Sequence, residues 1–86
     1  MIGKFATSKA GHDKAKLYVI TAVEGDFVYL CDGHLKPLEK PKKKRLKHIQ
    51  LINTTVEQSL YKRLLHQETV RNEEIKYAIK QYLKEA

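Results

Sequence analysis

The spacing of the apolar residues changes once along this chain, near residue 53, and this change limits the folds that the chain can adopt. Before that point, apolar residues come in short runs that are rich in β-branched and aromatic types, which is typical of strands. After it, they recur every three or four residues, which is typical of amphipathic helices. The sequence therefore predicts a mainly β protein with α-helices, in which a small sheet precedes a helical extension.

Five short segments in the first part of the chain predict strands. They are Lys4–Ser8, Leu17–Val23, Phe27–Cys31, His34–Glu39 and His48–Asn53. Pro37 places the fourth segment at a sheet edge, because proline cannot donate a hydrogen bond to a neighbouring strand. Short strands at such close spacing favour a small β-barrel.

Two turns and one strand refine this picture. Residues Glu24–Asp26 predict a turn, and Asp32-Gly33 predicts a tight hairpin, because glycine accepts a positive φ. Leu17–Val23 is apolar on both of its faces. One face is therefore expected to fill the barrel, and the other to be covered by a further element.

Two amphipathic helices are predicted beyond residue 53. Thr54 and Glu57 have the spacing of a capping box, and Asn72 is the predicted N-cap of the second helix. The apolar stripes are Val56, Leu60, Leu64 and Leu65 in the first helix, and Ile75, Ala78, Ile79, Tyr82 and Leu83 in the second. We expect residues 1–53 to form the barrel and residues 54–86 to pack on it. Contact with a second copy or a partner is the alternative use of the stripes.

Positive charge is concentrated in the first part of the chain. The net charge is +7, of which residues 1–53 carry +6, from eleven basic and five acidic side chains. A concentrated basic patch attracts a polyanion, and nucleic acid is the commonest one. An anionic membrane is the competitor, but such binding usually needs a basic amphipathic helix, and Pro37 and Pro41 interrupt the basic segment here. No apolar run approaches the ~18 residues of a membrane-spanning helix.

The basic segment Lys36–His48, with the sequence KPLEKPKKKRLKH, has three possible roles. It matches a nuclear localisation signal, but such signals are commonly on tails, and this segment lies between two predicted strands. It could also be a solvated loop that aids solubility. Repulsion among four consecutive like charges favours the third role, a loop that binds phosphates through Lys42, Lys43, Lys44, Arg45 and Lys47.

A second basic loop, Ser8–Lys16, precedes the second predicted strand. It places Lys9, Lys14 and Lys16 around Gly11 and His12. The loops at one end of a small barrel lie close together, so both basic loops are expected to converge on one phosphate-binding face. The aromatic residues Phe5, Tyr18, Phe27 and Tyr29 lie on predicted strands, where core packing is the expected role and base stacking the weaker alternative.

An enzymatic site or a metal site finds little support in the sequence. The four histidines are scattered, and Cys31 and His34 lack the second ligand pair that a zinc site needs. Cys31 is therefore expected to be a small buried apolar residue. Nothing pairs a nucleophile with a base, so we expect no catalytic residues and no cofactor. The single cysteine and the absence of an apolar N-terminal segment predict a cytoplasmic protein.

The segment Gly3–Gly33, GKFATSKAGHDKAKLYVITAVEGDFVYLCDG, resembles a KOW domain, a small SH3-like barrel of ribosomal proteins and transcription factors. The span to Ile52 is similar to ribosomal proteins of the L-fourteen-e type, and short bacterial KOW-domain RNA-binding proteins also share the EKPKKKRLKH segment. Ala15 departs from the pattern, since many members have glycine there. The resemblance implies an RNA-facing first loop that contains Ser8, Lys9, Gly11, His12, Lys14 and Lys16.

The sequence thus predicts a monomer that binds structured RNA, with ribosomal RNA of the large subunit as the expected partner. A protein-interaction module of the translation or transcription machinery is the alternative, in which the helical tail docks with a partner. DNA binding shares the charge argument, but the chain lacks a helix-turn-helix pattern.

Overall fold

The computed structural model describes residues 1–9 and 16–85, which form one antiparallel five-stranded sheet and two α-helices. The strands are β1 (Lys4–Ser8), β2 (Tyr18–Glu24), β3 (Phe27–Cys31), β4 (Lys42–Arg45) and β5 (Ile49–Thr55). The helices are α1 (Gln58–Leu65) and α2 (Asn72–Glu85). The predicted mainly β class with α-helices is confirmed. The strand order is β4-β3-β2-β1-β5, and the described strands do not close into a hydrogen-bonded ring.

Four of the five predicted strands are present within two residues of their expected ends, and the fourth was wrong. Residues 34–39 form bends and turns, and the strand that pairs with β3 is Lys42–Arg45. The carboxylate of Asp32 accepts hydrogen bonds from the N–H groups of His34 and Lys36, both at 2.8 Å, and these bonds stabilise a turn where the strand was expected. The predicted two-residue hairpin at Asp32-Gly33 was also wrong, since residues 32–41 separate β3 from β4.

Each face of the sheet contributes one cluster of buried residues. One face carries the cluster Ala6, Tyr18, Ile20, Val28, Leu30 and Ile49. The other face carries Phe5, Val19 and Cys31, which pack against Val56, Leu60, Leu64 and Ile75 from the helical part. Val19 and Ile20 are neighbours in β2 and are both 0% exposed, so the expectation of two covered faces for this strand is confirmed. The buried apolar role predicted for Cys31 is also confirmed.

The second helix packs on the sheet through the stripe predicted for it, except at its end. Ile75 is fully buried, and the ring of Tyr82 stacks on that of Phe5 with centroids 4.7 Å apart. Leu83 is 61% exposed, so the stripe stops contributing to the core before the helix ends. In the described part of the chain, no helix combines the length and the apolar character needed to cross a membrane.

The helix caps differ from those predicted. Thr54 lies in β5, and Glu57 is itself the N-cap of α1, where its carboxylate accepts hydrogen bonds from the N–H groups of Ser59 and Leu60. Asn72 lies inside α2, and its side chain bonds to a distant segment. Its Oδ1 accepts from the N–H of Leu38 at 2.7 Å, and its Nδ2 donates to Glu39 at 2.6 Å. The side-chain amide that was expected to cap the helix therefore bonds instead to residues 38 and 39.

An ion pair between Arg63 and Glu74 joins the two helices. The two guanidinium nitrogens lie 2.6 and 3.0 Å from the carboxylate oxygens. The N–H of Arg71 also donates to Glu74 at 2.9 Å. The side-chain hydrogen bond from Arg63, followed by the backbone hydrogen bond from Arg71, lowers the pKa of Glu74 from 4.5 to about 2.

The variant Glu74→Gln should reveal this ion pair through its pH dependence. A carboxyl group with a lowered pKa in the folded state stabilises the protein above its unfolded pKa and loses that effect as the pH falls. The melting temperature of the unaltered protein should therefore exceed that of the variant at pH 7, and the difference should vanish between pH 4.5 and about 2. Thermal melts followed by circular dichroism measure this. Glu73→Gln, an exposed neighbour, is the control, and a pH-independent difference for Glu74→Gln would contradict the prediction.

Candidate nucleic-acid interface

The four consecutive basic residues of the chain form β4, the edge strand that pairs with β3. The prediction that they lie in a loop was therefore wrong. Side chains alternate along a strand, so Lys42 and Lys44 lie half-buried on one face, while Lys43 and Arg45 are exposed on the other. Lysines at a sheet edge also discourage pairing with strands of other molecules. β4 therefore carries two rows of cations. The first row is Lys42 and Lys44 on one face, and the second row is Lys43 and Arg45 on the other.

The first row lies beside the end of β1. The Nζ atom of Lys44 donates to the Oγ atom of Ser8 at 2.6 Å, and Ser8 is only 3% exposed. The N–H of Lys9 donates to the carbonyl of His48 at 3.0 Å. The start of the first basic loop therefore touches the segment that connects β4 to β5, in which Lys47 is exposed.

Lys16 lies at the other end of the first basic loop and pairs with an acid. Its Nζ atom lies 3.3 Å from the carboxylate of Asp32. Burial acts to raise the pKa of Asp32, but the hydrogen bonds from His34, Lys36 and Lys16 outweigh it, and the net effect lowers this pKa. The charge of Lys16 is therefore partly neutralised. Of the other residues predicted for this loop, Gly11, His12 and Lys14 lie outside the described residues.

The second row of cations lies over aromatic rings. In the register of the sheet, Arg45 is opposite Phe27, and Lys43 is opposite Tyr29. The Nζ atom of Lys43 lies 4.5 Å from the ring centroid of Phe27, and the Cζ atom of Arg45 lies 5.0 Å from the same centroid. Such contacts between cations and aromatic faces are attractive. We call these four residues the β3–β4 shelf.

The aromatic residues divide into two groups. Phe5 and Tyr18 are 3% and 1% exposed, so their predicted core role is confirmed. Phe27 and Tyr29 are only half-buried, so the prediction was wrong for them. Their alternation with the fully buried Val28 and Leu30 was visible in the sequence and would have assigned them to the other face of the strand.

One acidic side chain borders the β3–β4 shelf. The carboxylate of Glu24 accepts a hydrogen bond from the hydroxyl of Tyr29 at 2.9 Å and lies 3.6 Å from the Nζ atom of Lys43. Its side chain is 70% exposed, so it meets water on its open side. This acid holds the Lys43 ammonium close to Tyr29.

The described residues offer few groups suited to covalent or metal chemistry. Burial raises the pKa of the Cys31 thiol, which keeps it in the unreactive protonated form. Within residues 1–9 and 16–85, no three side chains of histidine, cysteine, aspartate or glutamate lie together in a way that would hold a metal ion.

No protein-family model matches this chain. No curated protein matches it either. The functional argument therefore depends on the geometry and charge of the residues themselves.

Proposed function

We propose that this protein binds structured RNA without catalysing a reaction, and that its expected partner is ribosomal RNA. The observation that carries the proposal is β4, a strand of four consecutive cations on the sheet edge. Cations fixed by a strand contact phosphates with little loss of freedom on binding. Phosphate contacts supply most of the affinity for RNA, and the shape of the RNA backbone determines where on the RNA the protein can bind.

The proposed phosphate-binding set includes the residues that flank β4. Its members are Lys9, Lys14, Lys16, Lys42, Lys43, Lys44, Arg45 and Lys47. The contacts of Lys44 with Ser8 and of Lys9 with His48 support a common face for the two basic segments. We include an SH3-like barrel of the KOW type in the proposal. The five antiparallel strands, the short 3₁₀ turn at Leu46–His48 and the Lys44–Ser8 contact between β4 and β1 support it.

The affinity for RNA should fall steeply with salt concentration. If five of the cations contact phosphates, each contact releases part of a counterion, and the logarithm of the affinity should fall with the logarithm of salt with a slope of roughly −3.5 to −4.5. Fluorescence anisotropy with a labelled, folded RNA hairpin at several potassium chloride concentrations measures this slope. A slope near zero would contradict phosphate-led binding.

The same salt series distinguishes the ribosomal partner from RNA in general. The protein should sediment with ribosomal subunits in a sucrose gradient at low salt and be released at high salt. If it stays at the top of the gradient at low salt but still binds the hairpin, the ribosomal assignment is wrong and RNA binding is retained.

A groove between the helices and β5 favours the alternative, a protein-interaction module. It has a volume of about 980 Å³ and apolar walls that include Phe5, Leu60 and Tyr82. Glu73 and Glu85 also line it, on a chain that is otherwise strongly basic. These features suit an amphipathic helix with basic flanks. Reversing the charge of β4 would leave binding of such a partner intact.

A further inference from the structure

We propose that Phe27 and Tyr29 of the β3–β4 shelf form a stacking site for unpaired RNA bases. This inference rests on the proposed RNA-binding function and narrows its ligand to RNA that presents at least one unpaired segment. Uninterrupted duplex RNA, whose bases are already stacked on each other, cannot use such a site.

The positions of the two rings fit bases of an extended strand. Phe27 and Tyr29 are two residues apart on β3, so they lie on the same face of the sheet, with about 6.8 Å between their Cα atoms. Bases in a stretched single strand are drawn apart and can each meet a separate ring. Both residues are half-buried, so the sheet holds them in place, and what lies over the ring of Phe27 is the pair of side chains Lys43 and Arg45.

The cations above the rings supply the complementary charge. Lys43 and Arg45 are both exposed, and a move of either cation from the ring to a neighbouring phosphate would uncover a ring face for a base. Arginine has a second option, because its planar guanidinium can remain stacked on Phe27 and present its outer face to a base. In either case, each aromatic ring lies directly across from a cation on the neighbouring strand, Phe27 from Arg45 and Tyr29 from Lys43.

The position of the shelf in the fold explains why the rings are available. The helices cover this face of the sheet at Val19 and Cys31, which belong to the cluster with Leu60 and Ile75. The pairing between β2 and β3 shifts register between Ile20 and Ala22, which is an irregularity of the bulge type. Beyond this point the helical cover ends, and the face continues as the shelf.

Glu24 opposes the ligand at one edge of the shelf. Its carboxylate contacts both Lys43 and Tyr29, so a phosphate that binds Lys43 meets a negative charge of the protein beside it. Removing this charge should strengthen binding to a single strand. Glu24→Gln is therefore expected to raise the affinity a few-fold, whereas loss of the rings should lower it.

The test compares two RNA probes that each carry ten phosphates. One is a 5′-phosphorylated uridine decamer, and the other is a blunt duplex of five G–C pairs with both 5′ ends phosphorylated, used at concentrations at which it stays paired. The variant Phe27→Leu/Tyr29→Leu keeps the apolar contacts with the sheet and removes the stacking faces. We expect its affinity for the decamer to fall about tenfold or more, and its affinity for the duplex to change less than about twofold. Tyr77→Leu, which alters a 63% exposed tyrosine on α2, is the matched control and should affect neither probe.

A second measurement uses the unaltered protein, in case the double variant does not fold. In nuclear magnetic resonance spectra, the ring protons of Phe27 and Tyr29 should move upfield as the uridine decamer is added, because stacked bases shield them. Unchanged ring signals, or an equal loss of affinity for both probes in the variant, would overturn the stacking site. If the unaltered protein bound the folded hairpin but not the decamer, the stacking site would be overturned and the RNA-binding function retained. If it bound neither the hairpin nor either probe, the proposed RNA-binding function itself would be wrong.

Discussion

Replacing Lys42, Lys43 and Lys44 together by glutamate is expected to weaken RNA binding by roughly two to three orders of magnitude at about 0.1 M salt. Each phosphate contact contributes somewhat less than a factor of ten at this salt concentration, through counterion release, and three contacts are lost. The introduced carboxylates add repulsion at the same positions. Anisotropy titrations with the folded hairpin measure the loss of affinity. The dependence of log affinity on log salt should also become shallower, because fewer phosphates are contacted.

The control for this variant has the same net charge. Lys62, Lys80 and Lys84 are exposed lysines on the two helices, and their replacement by glutamate changes the total charge by the same amount. We expect this control to weaken binding only several-fold, through the long-range field, which salt screens. Equal losses in both variants would mean that net charge, and not β4, determines binding. A protein partner that the β4 variant still binds would favour the helical groove as the functional surface.

Replacing Gly33 by alanine is expected to destabilise the fold by about 3 kcal/mol. Gly33 has a φ of +78°, a conformation that costs an alanine about 1–2 kcal/mol. Its added Cβ atom would overlap the backbone carbonyl oxygen of Asn72 and lie 2.8 Å from the Cγ atom of Lys76, so α2 would have to shift. Overpacking of this kind typically costs about 1–3 kcal/mol more. The melting temperature should fall by roughly 12–24 °C.

Gly25 provides the matched control, because it shares the backbone conformation and lacks the crowding. Its φ is +59°, and nothing lies within 4 Å of an added Cβ atom. Gly25→Ala should therefore lose only about 1–2 kcal/mol, the conformational part of the cost. If the two variants melted at the same temperature, the close approach of α2 to Gly33 would have no energetic weight.

The part of the fold that follows from local pattern was predictable. The segments that became β1, β2, β3 and β5 contain β-branched or aromatic residues in alternation, and burial on a sheet requires little else. β4 was missed because four basic residues have no strand propensity of their own. The four basic residues form a strand because they pair with the free edge of β3, and the local sequence does not encode that pairing. Asn72 was misassigned for a similar reason, since its partners Leu38 and Glu39 lie more than thirty residues away in the sequence.

The candidate site was predictable in charge and not in arrangement. The lysine run was evident in the sequence, because charge can be read without knowing the fold. Its division into two rows, with Lys44 beside Ser8 and Lys43 above Phe27, depends on the pairing register of β3 and β4. A shift of one residue in that register would exchange the rows. The partial exposure of Phe27 and Tyr29 depends in addition on where the helices stop covering the sheet.

The hydrogen bonds of Asn72 connect α2 to the segment that leads into β4 of the sheet. They fasten the segment just before β4 to the first turn of α2, at Leu38 and Glu39. We therefore expect the position of the basic strand to depend on how firmly α2 is docked, although α2 contributes none of the proposed phosphate contacts. By thermodynamic linkage, a ligand that holds β4 in place also tightens the docking of α2. We therefore expect removal of the helical tail to make β4 more mobile, although every basic residue of β4 would remain.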